Sequence, residues 1–193
     1  FNSTSSTLKG YGTAAGIPAG TWASGGTANT ARSECPGTGT KTAAIVAGGN
    51  TPTVVAVTEL YDGSSWTEVN DLNTGRYSGA LSGVQTSAIM AGGYATDNTT
   101  NSETWDGSNW TEVSELNTAR RALNHTAGSS NTAALIAGGL TPGASTAAIV
   151  ESWDGSSWTE VNDLNSARRL LITTGTTTAA LSFGGNTPDS ALT

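Results

Sequence analysis

Four arginines recur at one point of a repeating pattern, Arg32, Arg76, Arg120 and Arg168, each just ahead of a strand-forming stretch. Guanidinium groups gathered in this way suit carboxylates, phosphates and sulfated or acidic sugars, because each presents a planar fork of donors. Acidic residues recur in step with them, at Glu59, Glu103 and Glu151. A second reading is therefore open, in which each arginine pairs with one of these acids and fastens neighbouring repeats. Asp62, Asp106 and Asp154 each precede a glycine and read as turn residues. Nothing in the DGSSW stretch matches a calcium-loop signature, so no metal is expected. Tyr61, Trp66, Trp105, Trp110, Trp153 and Trp158 recur as pairs five residues apart. Such rings stack on sugars where exposed and fill the space between sheets where buried, and the area a Trp buries favours the core. Trp22 departs from the pattern, lying in TWASGG.

The parts for catalysis are missing. His125 is the sole histidine and Cys35 the sole cysteine, and they fall in different phases of the repeat. A Ser–His–acid triad would have to use His125, and no nucleophile-elbow motif accompanies it. One cysteine excludes an intrachain disulfide and leaves a four-ligand zinc site without its usual donors. The expectation is a protein that is not an enzyme and carries no cofactor. With 8 basic and 15 acidic residues, the net charge is −7. Nucleic acid would be repelled overall, and no Lys/Arg-rich stretch offsets this. No apolar run approaches the roughly 18–20 residues that span a bilayer, so no membrane insertion is expected. The chain begins at Phe1 without a basic–apolar signal sequence, which fits either a removed N-terminal segment or a longer parent polypeptide. Asn2, Asn98, Asn109 and Asn124 stand in glycosylation sequons, meaningful only on a eukaryotic secretory route.

Internal similarity is the strongest signal for the elements that position these residues. TELYDGSSWTEVNDLNTGR (58–76), SETWDGSNWTEVSELNTAR (102–120) and ESWDGSSWTEVNDLNSAR (151–168) nearly coincide. An apolar run ending in two glycines precedes each: AAIVAGG, SAIMAGG and AALIAGG, with AALSFGG as a fourth. The pairs are Gly48 and Gly49, Gly92 and Gly93, Gly138 and Gly139, and Gly184 and Gly185, their second members stepping by 44, 46 and 46. Trp66, Trp110 and Trp158 step by 44 and 48, and going back 44 from Trp66 and Arg76 reaches Trp22 and Arg32.

Each unit reads as four short strands. In the second, these are expected near Ser78–Val84, Thr86–Ala91, Ser102–Trp105 and Trp110–Val113, with a tight Asp106-Gly107 turn between the last two. Asp-Gly between strand-like segments marks a hairpin because Gly tolerates the positive φ that the turn needs. Thr and Val favour half-buried strands, and no sustained 3.6-residue apolar period suggests helices. Asn50–Thr53, Thr96–Asn101 and Thr141–Ser145 read as variable loops. One four-stranded unit cannot bury its own faces, whereas stacking sheet against sheet does. Units of 44–48 residues fit propeller blades better than solenoid coils.

Gly-Gly, then an aromatic, then a Trp five residues on resembles the kelch repeat, over about residues 20–185. The WDGSSWTEVNDLNTAR style is also similar to repeats in virion proteins of marine bacteriophages. The kelch resemblance implies an all-β propeller of about four blades, each of four antiparallel strands. It also implies that Arg32, Arg76, Arg120 and Arg168 form a basic ring at the mouth of the central channel, as ligand-binding arginines do in kelch adaptors. The copper chemistry of the galactose oxidase branch does not carry over, because its histidine pair is lacking. The chain is expected to be one domain, 1–193, with units near 1–49, 50–93, 94–139 and 140–185. It begins before a fourth strand and ends after a second. Pairing of the terminal pieces would close a four-bladed ring, with Leu8–Tyr11 as a divergent third strand; membership of a longer propeller is the alternative. Together these features lead to the expectation of a structural or binding module of a virion or extracellular surface: a phage decoration, fibre or tail protein contacting other virion proteins or its own copies. The alternative is an adhesin or lectin-like module that grips host-surface glycans or acidic ligands, and a glycan-active enzyme, which would need clustered carboxylates on the channel face, is the third and least favoured reading. An intracellular adaptor is disfavoured, since no companion domain accompanies the repeats.

Overall fold

The computed structural model describes residues 24–123 and 126–187. Trp22, His125, Leu8–Tyr11 and the pairing of the terminal pieces lie outside them. The described chain is all-β, with one 3-10 turn at Pro142–Ala144 within the variable loop Thr141–Ser145. The first sheet holds β1 (Gly37–Thr40), β2 (Ala43–Thr51), β3 (Thr53–Tyr61) and β4 (Trp66–Glu68). The second holds β5 (Ala80–Val84), β6 (Ser87–Ala91), β7 (Ser102–Trp105) and β8 (Trp110–Val113). In the third lie β9 (Ala127–Ser130), β10 (Ala133–Ala137), β11 (Val150–Trp153) and β12 (Trp158–Val161). A fourth sheet has two strands, β13 (Ile172–Thr176) and β14 (Ala179–Phe183).

Strand order within every sheet is sequential and antiparallel. Register repeats with the sequence: Tyr61 faces Trp66, Trp105 faces Trp110 and Trp153 faces Trp158 across the Asp-Gly turns. One element departs from expectation. The first sheet has no loop at Asn50–Thr53, because β2 and β3 continue past Gly48-Gly49 to a reversal at Pro52. Val54, Val55 and Val57 explain this, since branched side chains hold that stretch extended.

The sheets stack in chain order through their first strands, with β1, β5, β9 and β13 as successive neighbours. Side-chain hydroxyls stitch them: Thr38 Oγ1 donates to Gly83 O, Ser82 Oγ to Ala127 O, and Thr126 Oγ1 to Leu81 O. The core lies between sheets. Ile45, Ala47 and Leu72 pack with Leu81, Met90, Trp105 and Trp110; Ile89 and Leu123 pack with Ile136, Trp153 and Trp158; Ala137 and Val150 pack with Leu171. This is a propeller-like arrangement in which no sheet has a complete core of its own. The three junctions between successive sheets also carry backbone bonds, from Gly49 N to Arg76 O, Gly93 N to Arg120 O and Gly139 N to Arg168 O. Among the described residues no such bond joins the fourth sheet to the first. A cavity of about 600 Å3, lined by Cys35, Pro36 and Gly37 on one side and Leu170 and Ile172 on the other, separates them there.

Candidate functional site

The four repeated arginines do not form one exposed ring. Arg76 and Arg120 are 0% exposed. Each lies at the start of a sheet and turns back onto that sheet's third strand. Arg76 Nη1 meets Glu103 Oε1 at 2.6 Å and Arg120 Nη2 meets Glu151 Oε1 at 2.8 Å; Arg32 pairs with Glu59 in the same way. The physical reason is burial: a guanidinium between two sheets must keep a carboxylate partner, so none of these three is available to a ligand. Arg168 differs. It is half-exposed, donates from Nη1 to Gly184 O at 2.8 Å, and has no carboxylate within ion-pair range among the described residues.

An asparagine three residues ahead completes each pair. Asn73 donates from its backbone N and from Nδ2 to Glu103 Oε2, at 2.7 and 2.9 Å, and Nδ2 also reaches Trp110 O. Asn117 repeats all three bonds with Glu151 and Trp158 O. Asn29 reaches Glu59 and Trp66 O. The loop leaving one sheet is thereby pinned to the third and fourth strands of the next. Burial pushes the Glu59 carboxyl up, but hydrogen bonds from Arg32 and Asn29 and the charge of Arg32 outweigh it and hold it below its ordinary value. Burial lowers Arg76 and Arg120 from the arginine range, and the attraction of Glu103 and Glu151 opposes the shift.

The tryptophans serve packing. Trp105, Trp110, Trp153 and Trp158 are buried in tilted pairs with centroids 5.3 Å apart, whereas Trp66 is half-buried. Indole N–H groups cross between sheets, from Trp110 Nε1 to Thr58 Oγ1 and from Trp158 Nε1 to Ser102 Oγ. Asp62, Asp106 and Asp154 each accept the backbone N–H groups two and three residues on, which lowers all three carboxyls. The glycine pairs lie where sheets touch. A Cβ on Gly48 or Gly138 would stand 2.2 Å from the carbonyl oxygen of Arg76 or Arg168, and one on Gly92 would stand 2.7 Å from that of Arg120. At Gly184 the same position is open.

What the repeat leaves variable gathers elsewhere. Glu34, Ser78, Ala122 and Leu170 occupy one repeat position, and all four are left-handed, with φ between 53° and 57°. They line a single cavity of about 270 Å3. Equivalent residues of four units around one space place it on the common axis, at the mouth. Tyr77 and Arg121, each the residue directly after a fastening arginine, line it too, and Arg169 and Ser33 share that repeat position. The Arg121 guanidinium lies 4.8 Å from the centre of the Tyr94 ring, whose centroid is 5.3 Å from that of Tyr77. Neither Arg121 nor Arg169 has a carboxylate within ion-pair range among the described residues. Glu34 is the one carboxylate in the lining, and it accepts from Ser78 Oγ. No cluster of three His, Cys, Asp or Glu side chains suited to a metal occurs among the described residues, and no helix there is long and apolar enough to cross a membrane.

Sequence reasoning passed over two features. The asparagine clamp was visible as an Asn three residues ahead of each repeated arginine, Asn29, Asn73, Asn117 and Asn165. A glycine within each first strand, Gly39, Gly83, Gly128 and Gly175, was visible as a recurrence in the runs TGT, SGV, AGS and TGT. Each has φ between 109° and 137°, and a Cβ would meet a second-strand carbonyl oxygen at 2.2–2.3 Å. No protein-family model matches this chain, and no curated protein is significantly similar to it.

Proposed function

We propose that the chain is a non-catalytic structural and binding module, a kelch-type propeller of about four blades in the virion of a bacteriophage. It would sit in a decoration, fibre or tail position against other virion proteins or its own copies. One observation carries the non-catalytic part. The recurring polar side chains that are buried or sit at turns hold the described sheets and turns together, arginine with glutamate and asparagine in the first three sheets and aspartate with its turn, while the recurring Glu68, Glu112 and Glu160 are exposed singly. The kelch and virion parts rest on the Gly-Gly, aromatic, Trp order and the WDGSSWTEV style. Peptide mass spectrometry on purified particles from a host expressing the gene tests the placement. If the chain is absent from particles yet present in the lysate, the virion reading is wrong.

A second reading, a lectin-like or adhesive module, is favoured by the mouth. Arg121, held over the Tyr94 ring, and Tyr77 bring a cation and one aromatic ring to a space of about 270 Å3, just below the usual ~300–1,000 Å3 for ligand pockets. That chemistry suits one carboxylated sugar ring, with the carboxylate on Arg121 and the ring face on tyrosine. A glycan array that includes uronic and sialic acids, read against Arg121→Ala and Tyr94→Ala, tests it. Array binding that survives both substitutions, or no binding at all, removes the reading.

A further inference from the structure

We propose that the mouth selects an acidic sugar that carries an acylated nitrogen across the ring from its carboxylate, Arg121 taking the carboxylate and Glu34 the N–H. This deepens the lectin-like reading of the mouth and rests on it.

The positions around the mouth are equivalent, but the side chains on them are not. Backbone bonds fix their order: Ser78 N donates to Glu34 O at 2.9 Å, Leu123 N to Ser78 O at 3.1 Å, and Leu170 N to Ala122 O at 3.0 Å. Glu34 and Ala122 therefore stand two steps apart, with Ser78 between them. Arg121 directly precedes Ala122, and its backbone is tied to Leu140 by bonds of 2.9 and 2.8 Å, which fixes where its side chain starts. The carboxylate and the guanidinium thus border the cavity from positions two steps apart. Tyr77 and Ser78 lie between them on one side, and Ala122, Leu140 and Leu170 give the rest of the wall an apolar character.

Both charged side chains have capacity left. Among the described residues, no carboxylate lies within ion-pair range of Arg121 and no cation within that range of Glu34. The Glu34 carboxylate accepts one hydrogen bond there, from Ser78 Oγ, where an ionised carboxylate has about four acceptor sites. Glu34 is exposed and Arg121 half-exposed, so a ligand in the mouth reaches both.

These two groups set the chemistry of the ligand. A carboxylate alone is drawn to Arg121 and repelled by Glu34, whereas a ligand that suits both presents an anion to one side and a donor to the other. A pyranose ring does this when the carbon bearing the carboxylate and the carbon bearing nitrogen stand opposite each other. N-acylated nonulosonic acids and acylamino uronic acids are built in that way. A plain uronic acid offers a hydroxyl in place of the amide and has no acyl group. The apolar wall favours the acylated nitrogen over a free amine, because an acyl methyl covers the exposed side of Leu170, 42% of which is open.

The test titrates the full chain by calorimetry with the methyl glycosides of N-acetylneuraminic acid, glucuronic acid and N-acetylglucosamine. The first should bind at least about tenfold more tightly than either of the others, the worth of one hydrogen bond to a charged group. Glu34→Ala should bring its affinity down to that of glucuronic acid. The third unit already carries Ala122 at this position with φ 57°, so the backbone there accepts alanine. Lys41→Ala, in the turn between β1 and β2, should leave the affinity unchanged. Equal affinity for the two acids, with Arg121→Ala abolishing both, overturns the proposal while the carboxylated-sugar reading stands. So does an N-acetylneuraminic acid affinity that Glu34→Ala leaves unaltered. Binding of none of the three removes that reading and the proposal together.

Discussion

Replacing Glu103 by Gln removes one charge from the centre of the second junction while keeping the side chain's shape. The carboxylate accepts four hydrogen bonds: Arg76 Nη1 at 2.6 Å and Thr74 N at 3.3 Å on one oxygen, Asn73 N at 2.7 Å and Nδ2 at 2.9 Å on the other. A glutamine can keep only one of those oxygens as an acceptor. Whichever way the amide turns, its NH2 faces two donors and two bonds are lost. Arg76, fully buried, also keeps its charge without a counter-ion. Breaking a buried pair from one side costs about 3–5 kcal/mol, a large share of the ~5–15 kcal/mol that stabilises a typical domain. Urea denaturation followed by tryptophan fluorescence reads the difference at constant m value. Glu112→Gln, on an exposed position of β8, is the control and should change stability by less than about 0.5 kcal/mol. The double variant Arg76→Met with Glu103→Leu should lose less than the two single losses added together, because no lone charge stays buried. A Glu103→Gln loss below about 1 kcal/mol with cooperative unfolding intact, or strict additivity in the double variant, would refute the fastener argument.

Other outcomes follow from the same geometry. Arg168→Ala should cost under about 0.5 kcal/mol where Arg120→Ala costs several, measured by the same denaturation, because only Arg120 leaves a buried partner behind. Gly83→Ala, at φ 118° with its Cβ 2.3 Å from Ser87 O, should destabilise by more than about 2 kcal/mol. Gly143→Ala, with open space around it, should cost only the strain of its φ of 81°, about 1 kcal/mol. Stability should be flat from pH 8 to about pH 5 and fall below that. Glu59, Asp62, Asp106 and Asp154 are depressed in the folded chain, so their contribution is complete above their unfolded values and is lost as pH falls through the folded ones. Thermal melts in steps of half a pH unit check the sign; a rise in stability on acidification contradicts it.

Periodicity alone carried most of the architecture. The recurrence of Gly-Gly, paired aromatics and Asp-Gly placed β7 and β8 at the residues where they are found, and β5 and β6 within two residues, because turn chemistry and strand propensity are local properties. The pairing of each arginine with the glutamate in step with it was likewise open to reading, since both recur at the same interval. Three matters needed the third dimension. Which cations stay available depends on burial between sheets: Arg76 and Arg121 look alike as residues, yet one is sealed against Glu103 and the other lies over Tyr94. The run past Gly48-Gly49 became a long hairpin because Val54 and Val55 found pairing partners in β2, which a local loop reading does not weigh. The convergence of Glu34, Ser78, Ala122 and Leu170 on one cavity joins residues 44 to 136 positions apart. Sequence fixes the identity of each repeat position, while the stacking of sheets about an axis decides which of those positions meet, since contacts between units arise only when the units pack.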